Sequence, residues 1–153
     1  MDLFILRHAE AEPEASSDFA RNLTANGKQQ LAKVMARHTG ALSSISHVWV
    51  SPYVRTQQTL QEIIHLLPAG ARIQTSEALT PESPVAGIIP LLEQAQGERV
   101  LFISHQPLVG AILSKLCGLA PGYYRLGTSA FTHIELPLLG FGQGRVCLCD
   151  QPE

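Results

Sequence analysis

Short apolar runs alternate with stretches of helical spacing along most of this chain. Leu3–Leu6 is a continuous apolar run, which predicts a strand over Asp2–Arg7 buried on both faces. The polar, Pro-containing stretch 10–22 reads as a loop. Thr24 is placed to cap a helix through Lys28, Leu31, Val34 and Met35 to about His38, with Gly40 as its stop. His47–Val50 reads as a second strand. Ser51-Pro52 then reads as N-cap and first helical residue of a helix reaching about Leu67, with Val54, Leu60, Ile63, Ile64 and Leu67 as its buried stripe. Arg72–Thr75 is a third strand. Ser83-Pro84 opens a further helix that Pro90 should kink. Glu98–Ser104 (ERVLFIS) is a fully buried strand, followed by a helix over Pro107–Cys117 that Gly118 ends. Ser129–Leu136 and Gly144–Cys149 alternate like two late strands joined by a Gly-rich turn. Strands that alternate with helices predict an α/β three-layer sandwich, with a mostly parallel central sheet flanked by helices. With no repeat, linker or low-complexity tract, 1–153 reads as a single domain.

The chemistry gathers where the strands end. The first strand ends in Arg7-His8, and the second in Ser51-Pro52-Tyr53-Val54-Arg55, which puts Arg55 in the first helical turn. The ERVLFIS strand ends in Ser104-His105-Gln106-Pro107. If these strands are parallel neighbours, their carboxyl ends share one edge of the sheet, where ligands bind in open α/β folds. That edge would bring His8 and His105 together with Arg7, Arg55 and two helix N-termini, an arrangement suited to a phosphoryl group. A zinc site on His8 and His105 lacks an obvious third ligand. A Ser-His-Asp triad lacks a Gly-x-Ser-x-Gly elbow.

Bulk properties narrow the field. The net charge of -2 argues against a general nucleic-acid or anionic-membrane binder. No apolar run is long enough to span a membrane, and the N-terminal run has no basic residue before it, unlike a signal peptide. Cys117, Cys147 and Cys149 show no C-x-x-C spacing and read as reduced thiols of a cytoplasmic protein.

The assembled motifs resemble the histidine phosphatase superfamily, the phosphoglycerate-mutase-like fold, and within it the small SixA-type phosphohistidine phosphatases. The resemblance rests on FILRHAEAE (4–12), Arg21 to Gly27 (RNLTANG), VSPYVRTQQT (50–59), EALTPESP (77–84) and ISHQPLVG (103–110), and runs to about Ser129. It implies His8 as the nucleophile that carries a transient phosphoryl group. It implies Arg7, Arg21 and Arg55 as phosphate ligands, His105 as the second imidazole, and a hydrolase with no metal or other cofactor. Nearby guanidinium groups should lower the pKa of His8 and keep it neutral.

The general acid is the weak point of the pattern. Larger relatives place a Glu between the third strand and the strand before the second His. Here that segment holds Glu77 and Glu82, and Glu82 is the candidate. The segment is also too short to form a lid, so an open, shallow site is expected. The expected substrate is therefore a phosphorylated histidine phosphotransfer domain or sensor kinase, met by a monomer. A broad small-molecule phosphomonoesterase is the alternative, and a non-catalytic phosphoprotein-binding module the third reading. Ala9 stands where the signature has Gly. Gln106 could add a donor at the rim, and Tyr53, Tyr123 and Tyr124 could form a docking surface.

Overall fold

The computed structural model describes residues 1–153. Its centre is a sheet of β1 (Asp2–Arg7), β2 (His47–Val50), β3 (Arg72–Thr75), β4 (Arg99–Ser104), β5 (Phe131–Glu135) and β6 (Arg145–Asp150), in the spatial order β3-β2-β4-β1-β5-β6. β3, β2, β4 and β1 run parallel, and β5 and β6 add an antiparallel edge.

β1 shows why the run is continuously apolar. Leu3 and Ile5 join one core cluster with Val100 and Phe102, while Phe4 and Leu6 join the other with Leu101 and Ile103. Successive side chains point to opposite faces, and both faces are covered. Helices α1 (Ala25–Ala36) and α3 (Val54–Ile63) supply Leu31, Val34, Leu60 and Ile63 to one layer. α4 (Ile89–Gln94) and α5 (Leu108–Cys117) supply Leu91, Leu92, Val109 and Ile112 to the other. Each such side chain contributes roughly 1.5–3 kcal/mol relative to exposure. β3 is exposed along its length and closes one edge as a short, charged strand.

Several boundaries differ from the sequence expectation. α3 begins at Val54 behind Tyr53 rather than at Ser51-Pro52. Ser51 N–H still bonds to Ile103 O, so the chain is held to the sheet and needs two further residues to turn. Its far end stops at Ile63, and a 3-10 turn over Ile64–Leu66 follows. α1 stops at Ala36, and Gly40 lies inside a separate single turn, α2 (Thr39–Leu42), instead of ending the first helix. The break is anchored from outside: Arg37 grips Asp150 of β6 at 2.9 and 3.1 Å, and His38 Nε2 meets the same carboxylate at 2.7 Å. Pro90 does not kink a helix. It falls in the first turn of α4, where its missing N–H is not needed, after a 3-10 segment over Val85–Ile88. Gly118 ends α5 in left-handed geometry, φ 64°, as expected.

Candidate active site

Strand register assembles the site. Arg7 pairs with Ser104 across β1–β4, and Val50 pairs with Ile103 across β2–β4. His8, Ser51 and His105 therefore leave the sheet at one level. His8 N–H continues the ladder to Ser104 O at 3.0 Å, and the two imidazoles meet edge to face with centroids 5.2 Å apart. Arg55 follows from the first turn of α3, whose apolar stripe seats that helix over the same end.

The tautomer of His8 is set by its partners. Nδ1 lies 2.7 Å from Ala9 O, which can only accept, so Nδ1 carries the proton. Nε2 receives a hydrogen bond from Arg55 Nε at 3.2 Å, so it presents a lone pair. The turn is pinned from α3: Ala9 N–H donates to Thr59 Oγ1 at 3.1 Å, and that hydroxyl donates to Arg55 O at 2.7 Å. Ala9 itself is buried in the core, and its backbone is not among the positive-φ positions, so no glycine is required there.

Both imidazoles are held neutral. His8 is 5% exposed and its pKa falls to about 4; burial is the largest cause, with the Arg55, Arg7 and Arg21 charges adding to it. The expectation that guanidinium charge would lower it holds in direction, but desolvation is the larger cause. His105 is 1% exposed and falls to about 3, again chiefly through burial, with His8 and Arg55 next. His105 Nε2 lies 2.7 Å from Ser51 Oγ, which also accepts Tyr53 N–H at 3.3 Å. Its Nδ1 is buried without a partner. Tyr53 stacks edgewise on His105 and lies under the Arg55 guanidinium, so it is a wall of the site more than an exposed docking residue.

The other candidates separate. Arg7 Nη1 donates to Leu126 O at 2.7 Å, while its Nε is buried and unpartnered. Beside it opens a concavity of about 640 Å3, lined in part by Gln106, Tyr124, Arg125 and Gln151. Gln106 spends its carbonyl on Gly110 N–H at 2.7 Å, stabilising the first turn of α5. Arg21 reaches the site indirectly: Nη1 donates to Asp18 Oδ1 at 3.0 Å, and Asp18 also pairs with Arg55. Glu82 is exposed and makes no hydrogen bond or ion pair with any of these groups. Asp18, Ser51 as the partner of His105, and Thr59 escaped sequence reasoning. Thr59 had a signal, since it lies one helical turn after Arg55. Asp18, in an irregular loop, had none. No three His, Cys, Asp or Glu side chains converge in a metal-ligand arrangement, so the zinc reading lacks its ligands.

A neutral histidine with a fixed lone pair, a guanidinium against it and a second buried imidazole meet at the carboxyl edge of this sheet, and the chain belongs to the histidine phosphatase superfamily (branch 1), whose profile matches residues 3–80. The similarity narrows further. The chain is 36% identical over 147 residues to the phosphohistidine phosphatase SixA of Escherichia coli K12, covering 93% of this chain and 89% of that one. It is 37% identical over 128 residues to a phosphohistidine phosphatase SixA homolog of Haemophilus influenzae, covering 77% and 78%. Among solved structures, the protein histidine phosphatase SixA complexed with tungstate superposes with a TM-score of 0.88 at 33% identity, over 99% of this chain and 97% of that one.

Proposed function

We propose that this protein removes phosphate from phosphohistidine on a partner protein, through a phosphoryl group carried on His8 Nε2. The fixed tautomer of His8 carries this reading most directly. Nε2 attacks phosphorus as the substrate P–N bond breaks. An imidazole whose other nitrogen is protonated departs as a neutral ring, so no strong acid is needed. Arg55 exchanges its bond to Nε2 for the phosphoryl oxygens, and Arg7 and Arg21 help neutralise charge in the loose transition state. Water then attacks phosphorus. The Nε2–P bond breaks, its electron pair returns to Nε2, and a water proton leaves with the phosphate or to solvent. His8 keeps its Nδ1 proton on Ala9 O throughout and departs as a neutral imidazole.

Two observations favour a protein substrate. The concavity beside Arg7 is open. The segment between β3 and β4 buries Leu79, Ile88 and Leu92 in the core, and Leu79 O accepts Ser104 Oγ–H at 2.7 Å, so it packs down instead of arching over the site. A histidine phosphotransfer domain or sensor kinase presents phosphohistidine in this form. The three cysteines are free thiols, which suits the cytoplasm, and no helix is long and apolar enough to cross a membrane.

The test is phosphate release from a phosphohistidine-bearing phosphotransfer domain against a panel of small phosphomonoesters, with His8→Ala as the blank. Fast, His8-dependent release from the protein alone supports the proposal. Preference for a small ester reassigns the chain as a small-molecule phosphomonoesterase. In the same assay Glu82→Gln should slow an alkyl ester, whose alkoxide needs a proton, more than phosphohistidine. Equal slowing of both would remove Glu82 as the acid.

A further inference from the structure

One carboxylate holds both loop-side guanidiniums of the site. Asp18 Oδ1 accepts from Arg21 Nη1 at 3.0 Å, and Oδ2 accepts from Arg55 Nη2 at 3.3 Å. The backbone adds to this grip: Asp18 O accepts Arg55 Nη1–H at 2.8 Å, and Glu12 O accepts Arg21 Nε–H at 2.6 Å. The outer edge of Arg55 is thus fixed while its Nε faces His8. Next to it, Val54 N–H bonds to Phe19 O at 3.1 Å, so the loop is tied to the start of α3.

The charges make this carboxylate necessary in one sense and costly in another. Arg7, Arg21 and Arg55 all lie close enough to depress the basicity of His8, and Arg21 and Arg7 each register repulsion around Arg55. Like charges so arranged would splay apart in the free protein without a counter-ion. A fixed anion among them also repels an incoming phosphate. The Asp18 side chain is 58% exposed, so its substitution opens no cavity in the core.

We propose that Asp18 is a positioning residue. It holds Arg21 and Arg55 in catalytic alignment before the phosphoryl group arrives, at the expense of anion affinity. The proposal rests on the reading of these arginines as phosphate ligands. Its signature is a split in sign: loss of the charge slows the chemical step but tightens anion binding. Asp18 stays ionised, because the hydrogen bond from Arg21 and the neighbouring Arg55 charge lower its pKa.

Asp18→Asn and Asp18→Ala test it, with kcat on phosphohistidine protein and on p-nitrophenyl phosphate, and with inorganic phosphate as competitive inhibitor. The expected result is a kcat lower by about tenfold and a phosphate inhibition constant lower by roughly threefold or more. Asp18→Glu should recover part of kcat. Weakening of both quantities together would indicate an ordinary structural role and overturn the proposal, as would no change in either. Wild-type protein that inorganic phosphate fails to inhibit would instead refute the phosphate site itself. Thermal unfolding of each variant checks that the fold persists.

Discussion

Arg55 Nε lies 3.2 Å from His8 Nε2 and donates to it, so the one free lone pair of that imidazole is occupied in the free protein. The cation has two consequences. It helps keep His8 unprotonated, and in the proposed reaction it stands beside the atom that takes the phosphoryl group.

Arg55→Ala should therefore lower kcat/KM by roughly 10^2- to 10^3-fold, the scale for removing one preorganised donor to a developing charge. Arg55→Lys should recover little of it. A lysine cannot reproduce a donor directed at His8 together with paired donors directed at Asp18. Steady-state kinetics on one substrate check both variants, and a loss below tenfold would place Arg55 outside the reacting group.

His8→Ala should abolish turnover, by about 10^4-fold or more, while leaving inorganic phosphate or tungstate bound by the arginines. Rapid quenching of wild-type protein with labelled substrate should trap acid-labile phosphate on His8. Activity at the wild-type level in the variant would end the covalent mechanism.

The pH dependence follows from burial. His8 titrates at about 4 in the folded protein, against about 6.5 when unfolded. The native state stays neutral while the unfolded chain takes up protons, so stability is full above pH 6.5 and falls as pH drops toward 4. For His8 alone the loss is on the order of 3 kcal/mol, and His105 adds to it in the same direction. Thermal midpoints measured from pH 8 to 4 should drop less steeply in His8→Asn than in wild type. In kinetics, the free-enzyme acid limb of kcat/KM, corrected for substrate ionisation, should lie well below 6.5.

Gly27 is predicted to resist substitution. A Cβ there would lie 2.3 Å from Glu10 O, and Thr24 Oγ1 already ties that helix start to the Glu10 carboxylate at 2.7 Å. Gly27→Ala should destabilise the fold by about 1–3 kcal/mol, the usual scale of overpacking, as read from denaturant midpoints. It should also disturb the loop that carries Asp18 and Arg21, so kcat should fall in the same variant.

The proposed route through His8 and its arginines uses no metal, so chelators should leave activity unchanged. Inhibition by EDTA that added zinc reverses would contradict this.

Elements with a continuous apolar run or a helical apolar stripe were legible in the sequence. β1, β2, β4 and α5 lie within a residue of where hydrophobic spacing puts them, since their core faces are written into neighbouring residues. The convergence of His8, Arg55 and His105 was legible from position: His8 and His105 directly follow β1 and β4, and Arg55 lies in the first turn of α3. The start of α3, the end of α1 and the placement of Pro90 were misread. Contacts distant in sequence decide the first two, Ser51 to β4 and Arg37 and His38 to Asp150, while the 3-10 turn directly ahead of α4 delays that helix so that Pro90 falls in its first turn.

By itself, then, the sequence determined the layers, the parallel core of the sheet and which imidazoles and arginines stand at its carboxyl edge, because these follow from local apolar patterning and from what stands at each strand end. Only the tertiary structure decided the tautomer of His8, the depth of burial that holds both imidazoles neutral, and the pairing of Asp18 with Arg21 and Arg55. Arg55 meets His8 and Asp18 across 47 and 37 residues, while His8–Ala9 and Arg21–Asp18 are near neighbours whose contact depends on how an irregular turn and loop fold; no local pattern of residues encodes either.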